Sequence, residues 1–226
     1  MTVGHASTLV AVSNPRSPIA EAYRTLRTNL DFSSLDHPLN SMVVTSAGPE
    51  EGKSTTLANL AVTTAQAGRK VILVDCDLRR PRLHELFDVS NEHGLTSMVV
   101  DAAAKKQPPL VETGIPGLQL LPSGPQPPNP VELLASRRMA DVIELLTGQA
   151  DVVFFDTPPV IAVTDAAVLA SRVDGVLLVI SAGSTKRDYV RQAQALLQKV
   201  NARVVGTVLT NVAFDASLHR YYTQQD

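Results

Sequence analysis

The residues from Thr45 to Thr55 read TSAGPEEGKST, and their types suit one chemical task, the holding of phosphate. Gly48 and Gly52 allow a tight backbone turn, Lys53 carries a positive charge on a long stem, and Ser54 and Thr55 follow with hydroxyls. The spacing fits the phosphate-binding loop G-x-x-x-x-G-K-[ST], with Ala47 where the first glycine normally stands. In such a loop the main chain of Gly48, Pro49, Glu50, Glu51, Gly52, Lys53, Ser54 and Thr55 wraps a β-phosphate, and a helix beginning near Ser54 adds the positive end of its dipole. Lys53 would reach the β- and γ-phosphates of a nucleotide, and the Ser54 hydroxyl would ligate Mg2+. ATP and Mg2+ are therefore the expected cofactors.

Acids complete the set. Asp75 and Asp77 close the apolar run VILVDCD, and extended residues two apart point to one side, so both can face the crevice above a sheet. Asp156 ends DVVFFD in the same way. A lone acid at a strand end is usually a helix cap or a solvated loop residue. Three of them beside a phosphate loop point instead to support of a metal-bound phosphate. Cys76, between two of them, suits a small buried apolar position better than a nucleophile.

These groups can meet only if strands carry them to a common edge. Apolar runs at 41–46, 70–75, 118–122, 151–156, 175–181 and 204–212 lack polar alternation, as strands buried on both faces do. Helical patterns lie between them. Leu57, Leu60, Ala61, Thr64 and Ala65 recur at helical spacing after the phosphate loop, and Gly68 is placed to end that helix. NPVELLASRRMADVIELLTG reads as one helix with Asn129 as its cap, Pro130 in its first turn and Gly148 at its far end. TKRDYVRQAQALLQKV puts Val190, Ala193, Leu197 and Val200 on one face. The succession predicts an α/β fold with a doubly wound, mainly parallel sheet flanked by helices.

At 226 residues and 44% apolar composition, the chain can bury one substantial core. Within that single domain, residues 1–40 read as an N-terminal helical segment, 41–214 as the nucleotide-binding core and 215–226 as a flexible tail. Lys and Arg number 20 against 22 Asp and Glu, so no global charge points to nucleic acid as a partner. One cysteine forms no internal disulfide and no secretory leader opens the chain, which predicts a reducing cytosol. The apolar runs are far shorter than the roughly 20 residues of a membrane helix.

Together the motifs resemble, over nearly the whole length, the cytoplasmic catalytic domain of the bacterial tyrosine kinases (BY-kinases) that co-regulate capsule and exopolysaccharide production. SAGPEEGKST is similar to their Walker A motif, VILVDCDLRRP to Walker A′ and VVFFDTPP to Walker B. PSGPQPPNPVELLAS and DTPPVIAVTDAAVLA resemble runs for which generic P-loop proteins have no need. The resemblance implies a P-loop NTPase of the deviant Walker, partition-ATPase-like type. Partition and cell-division ATPases are the competing family. They carry a second lysine early in the loop, where this chain has Gly48.

The resemblance implies a protein-tyrosine autokinase with Lys53, Asp75, Asp77 and Asp156 as its catalytic set. Ser54, Asp77 and Asp156 would support the metal, and Asp75 would orient or accept the tyrosine proton, two roles that Asp75 and Asp77 could exchange. Asn211, after the last strand, stands where related folds contact adenine. In SPIAEAYRTLRTNL, Ile19, Tyr23, Leu26 and Leu30 share one helical face, with Glu21, Arg24 and Arg27 on the other side and its flank. That trio is similar to the family's E-x-x-R-x-x-R motif, which joins protomers into a ring. Tyr221 and Tyr222, in the tail HRYYTQQD, are the expected phospho-acceptors, where the family carries a larger tyrosine cluster. Arg79, Arg80 and Arg82 are open to three roles: solvated charges, stabilisers of phosphate, or contacts to an acidic partner. The implied partners are further copies of the chain, a membrane polysaccharide co-polymerase whose cytoplasmic tail activates it, separate or fused, and other tyrosine substrates. The implied location is the cytoplasm at the inner face of the membrane, as a separate chain or an excised domain. Two alternatives stand beside this reading: a positioning ATPase that leaves tyrosines untouched, and a ring scaffold for which nucleotide controls assembly alone.

Overall fold

A computed structural model describes residues 9–100 and 108–213. The chain builds strands β1 (Ser41–Ser46), β2 (Val71–Asp75), β3 (Val111–Glu112), β4 (Leu118–Leu121), β5 (Val152–Asp156), β6 (Gly175–Ser181) and β7 (Val204–Thr210). They form one sheet in the order β3-β4-β2-β5-β1-β6-β7. Every neighbouring pair is parallel except β3 with β4. The six strands expected from the apolar runs are present, and β1, β2 and β5 are buried along their whole length. β3 was not foreseen: it spans two residues on the antiparallel edge, too short to leave a periodic signal.

Alternate strand residues feed two cores. Met42, Val44, Leu73 and Phe154 pack with α1 (Val10–Ser13), α2 (Pro18–Ser33), α3 (Lys53–Gln66) and α4 (Leu83–Phe87) on one face. Val43, Val74 and Phe155 pack on the other with α5 (Leu95–Val100), α6 (Pro130–Ala135), α7 (Arg137–Thr147), α8 (Asp165–Ala170) and α9 (Arg187–Lys199). Ala193 and Leu197 of α9 are buried as expected, with Val190 and Val200 partly buried beside them.

Helix α3 is covered more completely than its one-sided pattern suggested, since every residue from Thr56 to Ala65 is buried. The sheet covers one side, and α1 and α2 cover the other. Asn59 Oδ1 accepts from Ala11 N at 2.9 Å, and Arg27 Nη1 donates to Thr63 O at 3.1 Å, so polar groups on the outer side find partners in these helices.

The stretch read as one helix from Pro130 is two. Ser136 is extended, with φ −63° and ψ 157°, and its Oγ donates to Leu133 O at 2.7 Å while accepting from Met139 N at 3.1 Å. It thus closes α6 and caps α7, a competition with the helical backbone that serine is suited to win. Asn129 makes no side-chain cap bond. On α2, the expected apolar face is also incomplete: Leu30 is buried, Tyr23 and Leu26 are half-buried, and Ile19 is 55% exposed.

Candidate active site

The parallel register delivers the carboxyl ends of β1, β2 and β5 to one edge, with Asp75 opposite Asp156. Strand β1 runs into the phosphate loop, whose left-handed residues are Glu50 (φ 59°) and Gly52 (φ 85°). Glycine meets the second of these turns without strain, while Glu50 takes the first as a side-chain-bearing residue. Gly52 N-caps α3, so the first helical residue is Lys53.

Four side chains converge here. Lys53 Nζ lies 3.0 Å from Asp77 Oδ2, 3.8 Å from Asp156 Oδ1 and 3.1 Å from Ser54 Oγ. Ser54 Oγ donates to Asp156 Oδ2 at 2.5 Å. Burial works against the Lys53 charge, but Asp156 and Asp77 outweigh it and hold the ammonium above its ordinary range. A cleft of about 390 Å³ opens over this cluster. The loop from Pro49 to Thr55 forms one wall, and Asp77, Arg80, Arg82, Glu85, Leu86 and Pro159 form the other.

The two A′ acids differ. Asp77 lines the cleft, whereas Asp75 is fully buried beneath it. Asp75 Oδ1 accepts from Asp77 N at 3.2 Å, and its Oδ2 accepts from Arg82 N at 3.1 Å and Leu83 N at 2.9 Å. Desolvation, with the nearby charge of Asp156, pushes the Asp75 pKa up to about 8. Desolvation likewise pushes Asp156 up to about 6, against the pull of Lys53. Burial raises the Cys76 thiol well above its usual value, in keeping with a packed residue and not a nucleophile.

Asp156 Oδ1 is buried without a hydrogen-bond partner among the described residues. An orphaned carboxylate oxygen beside a P-loop serine fits a divalent cation. Among the described residues no group of three or more His, Cys, Asp or Glu is set to hold an ion. One carboxylate beside a hydroxyl suits Mg2+, which keeps several waters and takes one or two carboxylates together with substrate phosphates.

The structure also shows contacts that sequence reading missed. Glu51 is buried: its Oε2 accepts from Ala47 N at 3.1 Å and its Oε1 from Thr185 Oγ1 at 2.7 Å. Thr210 Oγ1 donates to Glu51 O at 2.8 Å, so the turn after β6 and the end of β7 brace the loop. Asn211 is exposed next to this brace, its Nδ2 donating to Ser181 Oγ at 2.8 Å. The arginine cluster divides. Arg79 forms a two-pronged bond to buried Asp165, at 2.9 and 3.2 Å, while Arg80 and Arg82 line the cleft. Asp165 lies inside the DTPPVIAVTDAAVLA run, the only signal that could have marked it.

On α2, Glu21 and Arg24 pair at 2.7 Å on the surface, and Arg24 also donates to Pro15 O. Arg27 turns to the Thr63 carbonyl of α3. Tyr221 and Tyr222 lie outside the described residues.

Sheet order, phosphate loop and converging acids define the class as a P-loop NTPase of the partition-ATPase type. A family model described as ParA, NUBPL iron-transfer P-loop NTPase, matches residues 39–219. Tyrosine-protein kinase YwqD of Bacillus subtilis (strain 168) is 41% identical over 219 residues, which cover 96% of this chain and 92% of YwqD. The crystal structure of the chimerical protein CapA2B2 superposes with a TM-score of 0.86 at 37% identity, covering 92% of this chain and 91% of that one. The kinase domain of Escherichia coli tyrosine kinase ETK superposes with a TM-score of 0.83 at 35% identity, covering 92% and 82%. The chain belongs to the bacterial tyrosine-protein kinase family.

Proposed function

We propose that the chain is an ATP-dependent protein-tyrosine autokinase that phosphorylates Tyr221 and Tyr222 of a neighbouring copy and regulates capsule or exopolysaccharide synthesis and export. The observation that carries this reading is the meeting of Lys53, Ser54 and Asp77 in an open cleft with buried Asp156 behind them, in a chain of this family. Phosphoryl transfer asks a protein mainly for positioning and charge stabilisation. Lys53 and the loop's main chain would hold the β- and γ-phosphates. Ser54 and Asp156 would hold Mg2+, with Asp77 within reach. When bound, Mg2+ offsets the charge that develops on the phosphate oxygens.

Proton handling is assigned by access. Asp77 faces the cleft and would orient the acceptor hydroxyl and receive its proton, while Asp75 holds the loop through three N–H groups. This exchanges the two roles relative to the first expectation, because Asp75 is fully buried and does not line the cleft, whereas Asp77 does. Asn211, beside the braced loop, is proposed to contact adenine.

Glu21 and Arg24, paired on the surface of α2 with Arg27 beside them, are proposed as the contact that closes a ring. A tethered tyrosine then has a high effective concentration at the next site. No described helix is long and apolar enough to cross a membrane. The cytoplasmic tail of a membrane polysaccharide co-polymerase, separate or fused, is proposed as the activator that holds the chain at the inner face of the membrane.

The test is to incubate the chain with Mg-ATP, with and without such a tail, and map phosphate by mass spectrometry. Label is expected on Tyr221 and Tyr222 and is expected to rise with the tail. Lys53→Met should lower transfer by about a thousandfold, the scale of losing a charge aimed at the transition state. Label found solely as released inorganic phosphate, unchanged in the Tyr221→Phe/Tyr222→Phe variant, would support a positioning ATPase instead.

A further inference from the structure

We propose that the Arg79–Asp165 pair is a positioning device that fixes the Asp77-bearing loop against the segment from the end of β5 to the start of α8, and so sets the spacing of Asp77 and Asp156. The inference rests on the phosphoryl-transfer reading of the site. Asp165 is wholly buried at the start of α8, and Arg79 Nε and Nη2 approach its two oxygens at 2.9 and 3.2 Å. A planar guanidinium can make this two-pronged bond, whereas a lysine would offer a point charge without the fork.

The pair acts on Asp77 because of where the loop is tied. On one side of Asp77, Cys76 N donates to Asp156 O at 2.8 Å. On the other side, Arg79 reaches Asp165. Asp77 therefore hangs between two anchors, Asp156 at the end of β5 and Asp165 at the start of α8. Between them Arg80 N closes a turn onto Asp77, donating to its main-chain O at 3.2 Å and to its Oδ1 at 3.0 Å.

The segment that receives these anchors is itself fastened to β1, the strand that leads into the phosphate loop. Thr157 Oγ1 donates to Val44 O at 2.9 Å, Thr45 Oγ1 donates to Pro158 O at 2.8 Å, and Val160 N donates to Ser46 O at 3.0 Å. The guanidinium of Arg79 thus places Asp77 in the same frame as the phosphates. If Arg79 left for a phosphate oxygen, Asp165 would remain a buried charge without its cation, so Arg79 is held back from the substrate. Arg80 and Arg82, whose side chains line the cleft, are left to face anionic groups.

The decisive experiment compares Asp165→Asn, Arg79→Lys and Arg79→Gln in the full chain, with Leu146→Ala as a core variant of reduced stability remote from the cleft. Steady-state transfer, half-saturation by Mg2+ in calorimetric titrations with ADP, and Tm are measured for each. Asp165→Asn and Arg79→Gln should lower kcat by about 10- to 100-fold and raise the Mg2+ half-saturation by about tenfold, the range for residues that orient metal-binding groups. KM for ATP should stay within about twofold, because the phosphate loop is untouched. Arg79→Lys should recover part of the loss. Unchanged kcat and Mg2+ half-saturation in a folded Asp165→Asn or Arg79→Gln protein would overturn the proposal, as would the same changes in Leu146→Ala. If the unsubstituted chain transfers no phosphoryl group, the kinase reading fails by itself, and the shift in Mg2+ half-saturation still decides the role of the pair.

Discussion

Asp75 and Asp156 are the groups whose ionisation the fold opposes most directly. Desolvation raises Asp75 to about 8 and Asp156 to about 6, from an ordinary aspartate value of 3.8. Across that interval the folded chain binds protons that the unfolded chain releases, so their contribution to stability is complete below the unfolded value and is lost as pH rises through the folded ones. In chelator, the Tm of the metal-free chain should therefore fall between pH 6 and 8.5, and Asp75→Asn should flatten that slope. A Tm that climbs over the same interval would refute the argument. Residues adjacent in sequence were readable in advance: Lys53, Ser54, Asp77 and Asp156 follow apolar strands in recognisable order. Glu51 with Thr185 and Arg79 with Asp165 were not, because their partners lie 134 and 86 positions away and no local pattern joins them.

Packing at the level of elements explains a run whose purpose was obscure in the sequence. The main chain of Pro122, Ser123 and Gly124 lies directly on the start of α5, with Leu95 N donating to Pro122 O at 2.8 Å and Thr96 N to Ser123 O at 2.9 Å. A Cβ added at Gly94 would lie 2.1 Å from Pro122 O and 2.5 Å from Gly124 N, both main-chain atoms with little freedom to yield. Gly94→Ala should cost about 3 kcal/mol, at the upper end for overpacking, read as a shift in the urea midpoint. Ser136→Ala removes the cap of α7 and should cost about 1 kcal/mol by the same measurement. Strands β1, β2 and β5 announced themselves as unbroken apolar runs, but the run of β7 gave the same signal although that edge strand has no buried residue. The α6–α7 break did not, because a serine within a good helical pattern looks the same whether it faces solvent or turns to bond the backbone.

For the molecule as a whole, assembly is the feature most open to challenge. Glu21 and Arg24 sit on the surface of α2, whereas Arg27 is committed to the Thr63 carbonyl. Glu21→Ala/Arg24→Ala should weaken self-association by at least about tenfold, the loss expected from a charged contact pair at an interface, while leaving Tm nearly unchanged. Sedimentation velocity would show the smaller species, and the doubly substituted chain should no longer label a Lys53→Met copy that carries the same two changes. Unaltered sedimentation would remove these two residues from the proposed ring. Arg27→Ala is a poor substitute for this test, since it also strips a hydrogen bond from the carbonyl of a buried helix.

Because α3 has no outward side of its own from Thr56 to Ala65, the segment ahead of Ser41 serves as the roof of the nucleotide-holding helix as well as the candidate meeting place of protomers. Shortening the chain to begin at the first Walker strand would abolish both duties in one cut, and the inactivity that followed would say nothing about which had mattered. Point changes confined to the outer rim of α2 are the way to separate them.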